Sequence, residues 1–169
     1  MRLLLAAIVK KTKDQHLWNE NLILAGDFNL YAHKDDATVA MISNAGYREV
    51  GSLVGVGTNI SGTEAYDRLF LSGQEYFKVA KRSDGKENCG LFRFFDFIYK
   101  DGGQHSYAEH LRADYTGKKN LDDPDNLRVY YERTWRKNQM SDHYPIWFKL
   151  LIDSSDGFLS NKLHSHTNT

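Results

Sequence analysis

A single cysteine, Cys89, among 169 residues excludes an internal disulfide and any multi-cysteine metal site. Charge imbalance is missing too. Lys+Arg and Asp+Glu number 22 each, so bulk electrostatics argues neither for nor against nucleic acid, and a phosphate-binding surface has to be local. Long apolar runs are scarce. The stretch Leu3 to Val9 follows a basic residue, as in a weak signal peptide, but it is far too short to span a bilayer and has no small-x-small cleavage site after it. Neither a membrane span nor a signal peptide is expected, which leaves localisation open and leans towards the cytoplasm. Repeats and low-complexity segments are absent as well. What remains is 41% hydrophobic, 13% aromatic and 26% charged, the composition of a folded, soluble domain with a real core.

Apolar patterning predicts mixed α and β elements. Leu3, Leu4, Ala7 and Ile8 fall at helical spacing within Arg2 to Asp14. The block Leu22 to Ala25 reads as a strand covered on both faces. Ala37 to Ala45 reads as a helix with Gly46 as its C-cap. "AYDRLFLSG" (65–73) reads as a strand ended by a Ser-Gly turn and "YFKVAKRS" (76–83) as the next strand. The polar stretch Gln104 to Gln139 holds a loop, "KKNLDDPDN", and a helix from Leu127 to Lys137 with Asp125 as N-cap. "YPIWFKLLI" (144–152) is the last strand, and Pro145 is tolerated at its start because no central ladder donor is lost. Residues 1–152 thus form one domain, and 153–169, with His164 and His166, form a flexible tail.

Three places combine an apolar strand with polar groups suited to chemistry. In "NLILAGDFNLY" (21–31) the strand ends at Gly26, and in extended backbone Asp27 and Asn29 face the same side. The same residues also suit a local Asx turn. In "MSDHYPIWFKL" (140–150) Asp142 and His143 precede a strand, where Ser141 and Asp142 could equally cap a turn. In "YDR" Asp67 lies inside an otherwise apolar strand, where an unpaired carboxylate is costly and a histidine would serve as its partner.

"GDFN" closing a strand, "AYDRLFLSG" in the middle and "SDHYPIWFKL" at the end, in that order, resemble the C-terminal half of the endonuclease/exonuclease/phosphatase superfamily, over Leu22 to Ile152. The resemblance implies an α/β (α+β) fold, the deoxyribonuclease I-like four-layer α/β/β/α sandwich of mainly antiparallel sheets, here in its C-terminal portion. It implies a metal-dependent phosphodiester hydrolase using Mg²⁺, or else Ca²⁺ or Mn²⁺. Asp27, Asn29 and Asp142 would serve the metal, and Asp27 would otherwise orient the attacking water. Asn29 would also hydrogen-bond phosphoryl oxygens. His143 would act as general base or as a donor to the transition state, with Asp67 fixing its tautomer. Thr63 and Arg68 would contact substrate.

The "YDR" and "SDHYP" wording, with "FDF" at 95–97, lies nearest the deoxyribonucleases and implies DNA cleavage with little sequence preference. Inositol or lipid phosphatases and abasic-site endonucleases are alternatives within the family. Lys78, Lys81, Arg82 and Lys86, together with Arg133, Arg136 and Lys137, offer local phosphate contacts, to which Thr58 and Asn59 could add. Members of the family also carry an earlier half with a metal-binding glutamate. Asp14, His16 and Glu20 do not stand in the strand-end context that glutamate needs. The expectation is therefore a truncated site, its exposed sheet covered by a second copy or a partner chain; the alternative is a catalytically inactive chain that folds or binds only with that partner.

Overall fold

A computed structural model describes residues 21–30, 36–73 and 77–151, with Ala7, 155–157, 159–160 and 163. The expected helix at Arg2 to Asp14 lies outside the described residues except for Ala7, which is helical. Of the expected tail, the described residues 155–157, 159–160 and 163 are helical as well, and the two tail histidines lie outside. The chain forms two compact units, 1–91 with 146–169 and 92–145.

The first unit is mixed α and β. Strands β1 (Leu22–Asp27), β2 (Arg48–Glu49) and β3 (Asp67–Ser72) form an antiparallel sheet in the order β1-β3-β2, and β4 (Cys89–Leu91) pairs antiparallel with β5 (Ile146–Phe148). The β1–β3 register runs from Leu22 opposite Ser72 to Asp27 opposite Asp67. Side chains alternate along β3, so Phe70 faces one way and Leu69 and Leu71 the other. On Phe70's side lie Phe28, Ile42 and Tyr47, with Val39 and Ala45 of helix α1 (Asp36–Asn44). On the opposite side, Leu69 and Leu71 pack with Val50, Leu53, Val79 and Cys89, and with Ile146 and Phe148 of the second sheet.

The strand buried on both faces is therefore β3, not β1. Among the described residues β1 is an edge strand, and its Ile23 is 47% exposed. Helix α1 stops where expected, since Gly46 adopts φ +90°, which ends a helix at little cost only for glycine. The expected strand at 76–83 is reduced, among its described residues, to isolated bridges from Val79 to Leu150 and from Lys81 to Glu87.

The second unit is helical and aromatic. After two 3₁₀ turns (Phe94–Asp96 and Gly103–Tyr107) come α2 (Ala108–Asp114), α3 (Pro124–Tyr130), a π turn (Tyr131–Trp135) and α4 (Arg136–Gln139). The N-cap of α3 is Asp123, whose carboxylate accepts from the backbone N–H groups of Asp125 and Asn126 at 2.9 and 3.4 Å. Asp125 is thus inside the helix. Pro124 explains the shift, because its missing N–H and fixed φ suit the first helical position. Leu111, Leu121, Leu127, Tyr131 and Trp135 form the core, edged by Tyr99, Tyr107 and Tyr115. The stretch Gln104 to Gln139, polar in composition, thus has its own packed interior. No helix among the described residues is long and apolar enough to cross a membrane.

Candidate functional site

Cross-strand register creates the main chemical feature of the first unit. Asp27 ends β1 and Asp67 begins β3, and the ladder pairs them directly. Directly opposed residues project to the same face, and oxygens of the two carboxylates lie within 4.8 Å of each other. Like charges so placed repel, and a divalent cation or a proton relieves the repulsion.

Local hydrogen bonds hold the pair. Past Asp27 the chain keeps one more ladder bond, from the Phe28 N–H to the Tyr66 carbonyl at 2.8 Å, and Phe28 is buried against Phe70 with ring centroids 5.6 Å apart. Asn29 then turns at φ +48°, and its N–H donates to Asp27 Oδ1 at 3.0 Å. Asparagine tolerates this left-handed backbone better than most residues. The extended-backbone argument that put Asp27 and Asn29 on one side therefore fails, because the strand stops at Asp27 and an Asx turn follows. Asp67 is not inside its strand but at its start, half-buried, and its N–H donates to the Thr58 hydroxyl at 3.0 Å.

Thr58 was legible only as a possible substrate contact. It is 1% exposed, and its own N–H donates to the Glu64 carbonyl at 2.8 Å, so it anchors the loop that presents Asp67. Thr63 belongs to the same loop. The Asn59 carboxamide oxygen accepts from the N–H groups of Thr63 and Glu64 at 2.8 and 3.1 Å, and Asn59 Nδ2 donates to the Thr63 hydroxyl at 3.0 Å. Its polar atoms close the loop on itself.

Arg68, expected to contact substrate, is instead 8% exposed. Its NH1 donates to both Glu49 oxygens at 3.2 and 3.3 Å, and its Nε donates to the Ala65 carbonyl at 3.3 Å. Burial pushes the Glu49 carboxyl above its usual range, and the neighbouring guanidinium offsets this only in part. Adjacent residues on β3 face opposite sides, so Arg68 projects away from Asp67.

Asp142 and His143 belong to the second unit. Asp142 is exposed and His143 half-buried. The Ser141 hydroxyl accepts the His143 N–H at 3.0 Å, which is the turn-capping arrangement the sequence also allowed. Tyr144 fixes this segment, buried with ring centroids 5.1 Å from Phe94 and 6.2 Å from Phe95. Arg136, expected as a phosphate contact, is buried, pairs with Asp101, donates to the Tyr99 carbonyl at 3.2 Å and lies 4.5 Å over the Phe95 ring. Its charge serves the interior of its own unit.

Searches of protein-family models, curated proteins and solved structures return no match to this chain. The assignment of chemistry therefore rests on the residues and their geometry.

Proposed function

We propose that this chain is a metal-dependent phosphodiester hydrolase acting on DNA, built on a deoxyribonuclease I-like sandwich, with Asp27, Asn29, Asp67, Asp142 and His143 as its working groups. The observation that supports this most is the facing pair, Asp27 opposite Asp67 with carboxylate oxygens within 4.8 Å. The donors fit a hard divalent cation, since Mg²⁺ and Ca²⁺ take carboxylate oxygens and two adjoining negative charges favour a cation between or beside them. When bound, such an ion neutralises phosphoryl oxygens and lowers the pKa of water at the site.

The chain's own residues do the rest. Asp27 supplies a ligand oxygen, held in place by the Asn29 N–H, and Asp142 adds a second carboxylate. The Asn29 carboxamide donates to a phosphoryl oxygen as charge accumulates there. His143 takes the proton of the attacking water, and Asp67 accepts from the other ring nitrogen, which fixes the tautomer and raises the basicity of the imidazole. Inositol or lipid phosphatases and abasic-site endonucleases would use the same groups on other phosphoesters.

Nicking of supercoiled plasmid by the purified chain tests this reading. Relaxed circles are expected with Mg²⁺ and not with EDTA, and His143→Ala should lose about a hundredfold in rate, the usual weight of a general base. Equal nicking by wild type, His143→Ala and Asp27→Ala would overturn it. A second reading, a chain that works only with a partner, is favoured by one observation: β1 is an edge strand among the described residues and exposes Ile23 and Ala25. Silence of the wild type with both Mg²⁺ and Mn²⁺ would select that reading.

A further inference from the structure

The opposite end of β3 carries a different feature. A cavity of about 390 Å³ opens there, entirely within the first unit, with Leu71 and Phe77 as apolar lining and with Arg48, Lys78 and Lys81 beside them. Leu71 stands four residues from Asp67, about 13 Å along a strand, so this cavity is separate from the acid pair and its reading does not depend on hydrolysis.

Charge among the described lining residues is unbalanced. Among the described lining residues the acid is Glu87, and both of its oxygens are engaged, Oε1 accepting from Arg48 at 3.0 Å and Oε2 from the Ser52 N–H at 3.0 Å. Among these described residues, three cations against one carboxylate leave two positive charges over, in a chain whose net charge is zero. Lys78 and Lys81 are exposed and form no ion pair with a described residue. A guanidinium has five N–H donors, of which Arg48 gives one to Glu87.

The apolar part is also shaped. A Cβ at Gly73 would collide with Asn21 and stand 2.9 Å from the Phe77 ring. Glycine there lets the ring of Phe77 close against the end of the strand. The result is a small space with an aromatic wall and a doubly positive lining. Its volume lies at the low end of ligand pockets, about 300–1,000 Å³, which suits one small molecule or one nucleotide.

We propose that this cavity binds a phosphate monoester carried on a planar ring, a nucleoside phosphate, with the phosphate at Arg48, Lys78 and Lys81 and the ring against Phe77 and Leu71. A phosphate monoester carries a charge of about −1.5 to −2 at neutral pH, which matches the surplus. The source is either a free mononucleotide or the phosphorylated end of a strand, and the two share this chemistry.

Calorimetric titration of the full chain at low salt tests the proposal. Adenosine monophosphate should bind, and both adenosine and inorganic phosphate should bind about tenfold more weakly or worse, each lacking one half of the recognition. The Lys78→Gln/Lys81→Gln variant alters two exposed side chains, keeps the wild-type melting temperature and should weaken the monophosphate about tenfold; Lys78→Arg/Lys81→Arg should restore it. A terminally phosphorylated oligonucleotide that binds more tightly than the mononucleotide, while its unphosphorylated twin does not, identifies a strand end as the source; equal or weaker binding identifies the free nucleotide. No binding of adenosine monophosphate, equal affinity in the glutamine variant, or inorganic phosphate binding as tightly as the nucleotide would overturn the proposal.

Discussion

The two compact units treat their polar groups differently. In the second, three polar side chains are tied into the aromatic interior. The Tyr131 hydroxyl donates to the Lys100 carbonyl at 3.0 Å, the Trp135 indole donates to Asp114 at 2.7 Å, and Arg136 is held by Asp101 and the Tyr99 carbonyl. An aromatic core needs such partners, because a buried indole or phenol left unpaired is costly. In the first unit one layer is part aromatic, with Phe28, Tyr47 and Phe70, and the other mainly aliphatic, while charged groups stand at both ends of β3, the facing acids at Asp67 and a cationic cavity at Leu71. Groups kept at strand ends remain within reach of ions and ligands, whereas groups tied into a core stabilise it. The first unit also ties polar groups inward, in the buried Arg68–Glu49 pair and in Thr58, which holds the Asp67 N–H.

That contrast can be broken or sharpened by substitution. The largest effect should come from Arg68→Ala, which strands Glu49 with its side chain 11% exposed and should cost about 3–5 kcal/mol in denaturant unfolding. Replacing Arg68 and Glu49 together with Met and Leu should recover most of that loss. A loss below about 1 kcal/mol for Arg68→Ala would mean that the pair behaves as a surface contact and that the contrast is overstated.

Tyr131→Phe probes the inward-facing unit and should cost about 0.5–1.5 kcal/mol at neutral pH for the lost hydrogen bond. Burial raises the Tyr131 phenol from 10.0 to about 12. The folded state therefore holds this proton more tightly than the unfolded one, so stability is fully present below pH 10 and is lost as pH rises towards about 12. Wild type should lose stability more steeply than Tyr131→Phe across that window. Parallel pH profiles would show that the hydroxyl is not held by the core.

The smallest effect carries the opposite sign. Asp27→Asn in EDTA should raise stability by about 0.2–1 kcal/mol, because it removes a like charge directly across the ladder. A destabilisation would mean that the carboxylate is needed by the fold, as Arg68 is.

Elements set by local chemistry were legible in the sequence. Helix α1 and its glycine stop, the strand from Asp67 ended by Ser72 and Gly73, and a final strand after Pro145 all follow from periodicity, caps and turn residues. The acids at the ends of "LILAGD" and at the start of "DRLFLS" were legible as candidates. Their pairing was not, because register joins residues distant in sequence and no local pattern encodes it. The same reason hid the fate of Arg68, whose partner Glu49 sits on another strand. At Asn29 the extended-backbone reading fails, while the Asx turn that the same residues suited is the one that forms. Asp125 lost the cap to Asp123 because Pro124 prefers the first helical position. The cationic cavity draws on β2, β3 and the segment after Gly73, and only folding brings those lysines and Arg48 around Phe77.

The central claim is that Asp27, beside the facing Asp67, holds a divalent cation, and it is tested most directly by thermal unfolding of the full chain during titration with Mg²⁺, for wild type and Asp27→Asn side by side. The account predicts that Mg²⁺ raises the wild-type melting temperature in a saturable way, that EDTA reverses the rise and that Asp27→Asn shows none of it. An equal rise in both proteins, or no rise in wild type at millimolar Mg²⁺, would contradict it.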